Sequence, residues 1–159
     1  MADFGYDLAG ESVKLFLAHE VNTYDLIDKK NKEVDRLINK MEELESFLGL
    51  VANRTDASNR VDLTTAEDQA MIDRLRQHDD LRHIFPVGKY SWKEAEVENL
   101  NRMINQHIEG PLQRKLNMET EEMVLDQHEL TKALEMFKGG LTRMNNLNDR
   151  IISNIAKAH

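Results

Sequence analysis

The chain has 159 residues, a formal net charge of −8, no cysteine, and only 7 glycines and 2 prolines, which reads as one domain long enough to bury a core unaided. Charged residues at 31% and aromatics at 6%, with so few glycines and prolines, favour long helices and argue against a sandwich or barrel, which needs many turns. Disulfides, thiolate chemistry and cysteine-based zinc sites are excluded with the cysteines, and an acidic chain whose bases (Arg74, Arg76, Arg82, Arg114, Lys115) alternate with acids is a poor partner for nucleic acid or an anionic membrane surface.

Two glycines, Phe4 and Tyr6 in the first ten residues predict a flexible N-terminal arm over 1–12, followed by a single helical domain over 13–159. No basic segment followed by an apolar one opens the chain, so cytoplasmic residence is expected, with export independent of a signal peptide as an alternative. The first helix is expected over about 13–52. Ile27, Val34, Met41 and Leu48 recur every seven residues. Leu37, Leu44 and Val51 form a second series three residues on, so both a and d positions of a heptad seam are filled. Upstream, Val13, Phe16, Leu17, Val21 and Tyr24 give a looser apolar face. The stretch ANRTDASNRVD that follows is rich in side chains that compete for backbone hydrogen bonds, and reads as a loop.

Thr64 and Glu67 have the spacing of a capping box, which predicts a second helix over 65–81 with Met71, Ile72 and Leu75 inward. Then comes RHIFPVGKYSW, Arg82–Trp92, which holds three of the aromatic residues. One reading is a corner whose aromatics close the bundle. The other is a partner-binding knuckle built from Arg82, Phe85, Val87, Tyr90 and Trp92, since Tyr, Trp and Arg are enriched at binding hot spots. Ser91 and Glu94 have the spacing of a second capping box, opening a third helix over 92–109. Gly110-Pro111 predicts a break or kink, because proline lacks a backbone donor.

The last helix is expected to start at 112 or 117 and to end near 157. Leu116, Met123, Leu130, Phe137, Met144 and Ile151 are spaced by seven without a miss. A straight helix drifts ~20° per heptad, so a stripe this strict implies a left-handed supercoil against another helix. Gly139-Gly140 is its weak point, a place for a kink or for close approach of another backbone. The expected fold is all-α: an elongated helical bundle whose long first and last helices pair as an antiparallel coiled coil, with two shorter helices between them. The seams could pair within one chain or between chains.

No apolar run approaches the ~20 residues of a membrane span, so no membrane insertion is expected. Six histidines are present, but no Glu-x-x-His pair of the di-iron type; the nearest spacing is Asp80-x-x-His83. Gly-rich phosphate loops and nucleophile elbows are absent. No metal ligand, cofactor or catalytic residue is therefore assigned. The expected function is that of a non-enzymatic protein–protein interaction subunit or adaptor, with protein partners, a homo-oligomer, or both, and no nucleic acid.

Two resemblances supply alternatives. His78-Asp79 resembles the adjacent His-Asp of the HD-type metal phosphohydrolases, which are also all-α, and implies a small metal-dependent hydrolase using those two residues. An acidic, cysteine-free chain with long first and last helices and a polar middle looks like subunits or chaperones of bacterial type III secretion systems, a resemblance of architecture that implies a secretion-associated role.

Overall fold

The computed structural model describes residues 4–157, with side chains except those of 4–9, 11, 12, 144, 148, 151 and 154–157. The described residues are all-α apart from one short ribbon. Helix α1 spans Phe4–Arg54, α2 Ala66–Arg76, α3 Glu94–His107 and α4 Gln113–Lys157. A 3₁₀ turn occupies Asp79–Leu81, a π turn Ile108–Leu112, and strands β1 (Val61–Asp62) and β2 (Ser91–Trp92) pair antiparallel. Two compact units result: a core unit, Lys32–Glu119, and a two-helix unit made of Met1–Asn31 with Thr120–His159.

The core unit holds nearly all the buried apolar side chains. Leu37, Leu44, Phe47 and Val51 of α1 meet Ile72 and Leu75 of α2, and Val97, Leu100 and Ile104 of α3. The buried face of α1 is centred on the Leu37, Leu44, Val51 series. Val34, Met41 and Leu48 flank it half-buried, and Phe47 with Lys40 flanks it on the other side. That is the broad stripe of a globular core rather than a narrow two-position seam.

Between α1 and α2 the Asp56 carboxylate accepts from the backbone N–H of Ser58 (2.8 Å) and Arg60 (2.9 Å), and Asn59 adopts the left-handed conformation (φ 55°). This side chain–backbone turn is what loop composition predicted. It feeds β1, whose partner β2 was not foreseen: Leu63 N–H donates to Tyr90 O (2.9 Å), extending the ribbon by one bond.

Both predicted capping boxes move. The N-cap of α2 is Thr65, not Thr64; its hydroxyl accepts from Asp68 N–H at 3.1 Å. At α3 the Glu96 carboxylate, not Glu94, reaches back to the N–H of Lys93 (2.9 Å), and the helix starts at Glu94 rather than 92. Ser91 and Trp92 are already committed to the ribbon, so they cannot cap. The second helix stops at Arg76 because His78 turns extended (ψ 118°), and a 3₁₀ turn replaces the last part of the expected 65–81 helix. At Pro111 the expected break is a π turn: the chain widens over Ile108–Leu112 and passes from α3 into α4 without a loop. A wider turn absorbs the missing donor of proline where an α-helical turn would clash.

Helix α1 begins at Phe4, nine residues ahead of the expected Val13, and α4 runs unbroken through Gly139-Gly140. Within the two-helix unit Phe16 stacks on Phe137 (4.1 Å, 3°). Lys30 pairs with Glu122 (3.0 Å) and Asp126 (2.9 Å). Numbers rise along α1 as they fall along α4, so the two helices are antiparallel.

Candidate functional site

The stretch Arg82–Trp92 is a plug. Phe85 is fully buried and Trp92 nearly so; both rings meet the Phe47 ring edge-on, at 5.1 and 6.2 Å. One residue outside the stretch holds it closed. The Arg76 guanidinium donates to the carbonyls of Phe85 (3.1 Å), Pro86 (2.7 Å) and Lys89 (3.2 Å). It also pairs with Asp73 (2.6 Å) and lies 5.1 Å from the centre of the half-buried Tyr90 ring. Five fixed donors in one plane suit this task, which a lysine could not do. Gly88 makes the turn at φ 74°. Of the five residues predicted as a knuckle, Phe85, Tyr90 and Trp92 face inward. Arg82 pairs with Asp79 (2.7 Å), and Val87 stands 90% exposed. Sequence reasoning missed Arg76, whose only signal was its place in the last turn of α2.

A second cluster was also missed. Lys40 lies on the buried face of α1, 5% exposed. Its ammonium donates to both carboxylate oxygens of Asp80, and His107 Nε2 lies 3.0 Å from Asp80 Oδ2. Burial pushes the Asp80 carboxyl up, but Lys40 and His107 outweigh it and leave the group below its usual range. Burial lowers His107, against the upward pull of Asp80. A carboxylate only accepts, so the 3.0 Å contact has the His107 Nε2–H donating to Asp80 Oδ2. The signal in the sequence was Lys40 itself, in phase with Phe47 seven residues on.

This cluster borders a cleft of about 440 Å³, lined also by Arg36, His78, Asp79, Leu112 and Lys115. Arg36 (2.8 Å) and Lys115 (2.6 Å) share Glu33, which holds the Glu33 carboxyl down at about 2. The cleft's cations are therefore matched by carboxylates of the same unit. His78 and Asp79, adjacent in sequence, take different partners: His78 lies 4.0 Å from Glu43, and Asp79 reaches Arg82. Among the described residues no three His, Asp or Glu side chains converge as a metal ion would require, and no helix is long and apolar enough to cross a membrane.

The seam residues divide between the units. Ile27 and Leu130 are the only buried described residues of the two-helix unit, and Met123 and Phe137 are half-buried. Val34, Met41, Leu48 and Leu116 are half-buried in the core unit. Met144 and Ile151 lie outside the residues whose side chains are described. The two-helix unit leaves much apolar surface open: Leu17, Val21 and Tyr24 of α1, spaced by four and three, are each more than half exposed.

The chain matches no protein-family model, no curated protein and no solved structure.

Proposed function

We propose that the chain is a non-enzymatic helical interaction subunit or adaptor of a larger assembly, working in the cytoplasm and binding protein through its two-helix unit. The supporting observation is the contrast in burial. The core unit closes over its own aromatics, whereas the two-helix unit buries only Ile27 and Leu130 among its described residues. A helix whose apolar residues spread beyond one seam cannot bury all of them against a single partner helix, and contiguous exposed apolar residues mark interaction surfaces. Leu17, Val21 and Tyr24 have the spacing by which one helix docks in the groove of another. The heptad seams would extend such contacts as coiled-coil pairing.

The test is the size of the native complex isolated from the source cells. Leu17→Glu with Val21→Glu should release the chain from that complex while Trp92 fluorescence stays native. A complex that survives those changes but is lost on Val87→Glu with Arg82→Glu would move binding to the loop and overturn the proposal.

A further inference from the structure

Leu125, Met136 and Leu147 of α4 stand eleven residues apart, three helical turns, so they share one line; they are 62, 76 and 56% exposed. On α1, Leu15 and Leu26 are also eleven apart, 72 and 45% exposed. At ~100° per residue, each line lies roughly 100° from the inward face of its own helix, in the same rotational sense. In an antiparallel pair, equal rotations bring both lines to one face. The Phe16–Phe137 and Lys30–Asp126 contacts set the level: Leu15 lies beside Met136 and Leu26 beside Leu125.

The order of side chains along α4 identifies what covers this face. Reversed about Met136, the line maps onto its own complement. Leu125 falls opposite Leu147, Glu129 opposite Arg143, Glu122 opposite Arg150, and Lys132 opposite Gly140. Apolar meets apolar at the first pair, acid meets base at the next two (Glu122 being also the partner of Lys30 within the chain), a lysine meets a glycine at the fourth, and no like charges face each other. We propose that α4 pairs antiparallel with α4 of a second copy across a two-fold axis at Met136. Such an interface is isologous, one patch matched to itself.

Two further observations agree. A Cβ at Gly140 would meet nothing within 4 Å in the chain, so no intrachain contact requires glycine there, although glycine weakens a helix relative to alanine. Close approach of a second backbone and of the Lys132 stem supplies the reason. The five apolar side chains expose on the order of 600 Å² per copy, against the ~800 Å² per partner of a standard interface, and the stems of the flanking charged residues make up the difference.

The inference rests on reading the two-helix unit as an interaction surface and names a second copy as its occupant. Light scattering on the purified full chain at about 100 µM should give twice the 18.4 kDa of one chain. Met136→Glu sets two carboxylates face to face at the axis and should return the mass to that of one chain, with helicity and Trp92 emission unchanged. Leu17→Glu, on another face, should leave the dimer intact. Glu129→Arg and Arg143→Glu should each weaken the dimer tenfold or more, and the two together should restore it. The chain has no cysteine of its own, so Met136→Cys should oxidise to a disulfide-linked dimer while Thr142→Cys, off this face, should not. A wild-type mass of one chain, a dimer indifferent to Met136→Glu, or a double charge swap no better than its singles would overturn the proposal. If the chain is a monomer that still enters a larger native complex through Leu17 and Val21, the interaction-subunit reading stands and the two-copy interface falls. If it does neither, both fall.

Discussion

Lys40 and Asp80 form an ion pair of unequal halves, and the two removals should differ in cost. Lys40 is 5% exposed, whereas the Asp80 side chain is 48% exposed. Removing one partner of a buried pair costs ~3–5 kcal/mol, because the other charge is left without compensation. Asp80→Ala strands the ammonium of Lys40 inside the core unit and also takes the acceptor from His107. The cleft beside Lys40 admits some water, which reduces the penalty to ~2–4 kcal/mol. Lys40→Met keeps the volume and the apolar stem, and leaves a carboxylate that reaches solvent and still holds His107. Its cost should be ~1 kcal/mol or less. Trp92 is the chain's one tryptophan and is buried in the same unit, so its fluorescence through a urea titration reads that unit directly. Asp80→Ala should move the midpoint several times further than Lys40→Met, and the Lys40→Met, Asp80→Ala double should be more stable than Asp80→Ala alone. Equal shifts for the two singles, or a double that is additive, would refute the claim that the buried ammonium sets the cost.

Acid should loosen the core unit. Arg36 and then Lys115 depress Glu33 from its ordinary 4.5 to about 2, so its contribution is complete above about pH 4.5 and is lost as pH falls towards 2. Asp80 and His107 are also lowered and act in the same direction. The Glu33 pairs reach solvent, so screening holds their share to ~1 kcal/mol; Glu33→Gln should flatten the urea midpoint between pH 5 and pH 2.5, and an unchanged slope would contradict it. Phe85→Ala should cost ~3–5 kcal/mol in the same titration, while Val87→Ala stays within ~0.5 kcal/mol. Arg76→Ala should leave the Phe47 cluster folded but open Pro86–Lys89 to limited proteolysis; a resistant loop would show that Gly88 and Phe85 suffice to hold it. A Cβ at Gly139 meets nothing within 4 Å, so Gly139→Ala should stabilise the helix by ~1 kcal/mol in thermal melts followed by circular dichroism.

The helices were legible because their signals are periodic and local. Leu37, Leu44 and Val51 sit where the heptad put them, at the centre of the buried face of α1. What failed were signals of three or four residues. Thr64 and Ser91 match capping boxes by spacing, but the ribbon between Val61–Asp62 and Ser91–Trp92, distant in sequence, fixes which residue is free to cap. The aromatic stretch posed the same difficulty. Its composition suits a hot spot and a core equally, and the choice belongs to Phe47 and Arg76, residues outside the stretch that pack and bond to it. Lys40 was hidden by its type: a lysine on an apolar stripe reads as snorkelling until Asp80 and His107 are known to meet it.

A repeat of seven records the line that faces a neighbour in a supercoil, and on α4 that line, through Met123, Leu130 and Phe137, turns towards α1. Leu125, Met136 and Leu147 repeat every eleven residues, close to three turns of an unsupercoiled helix, and fall between the heptads. A search for sevens passes over them, and composition counts them as ordinary core. Their exposure separates the two lines, and the complementary order of charges about Met136 points the second line towards another copy of itself. On that proposal two faces of α4 do different work: Phe137 of the seven-residue line stacks on Phe16 within the chain, and the exposed eleven-residue line would meet the second copy.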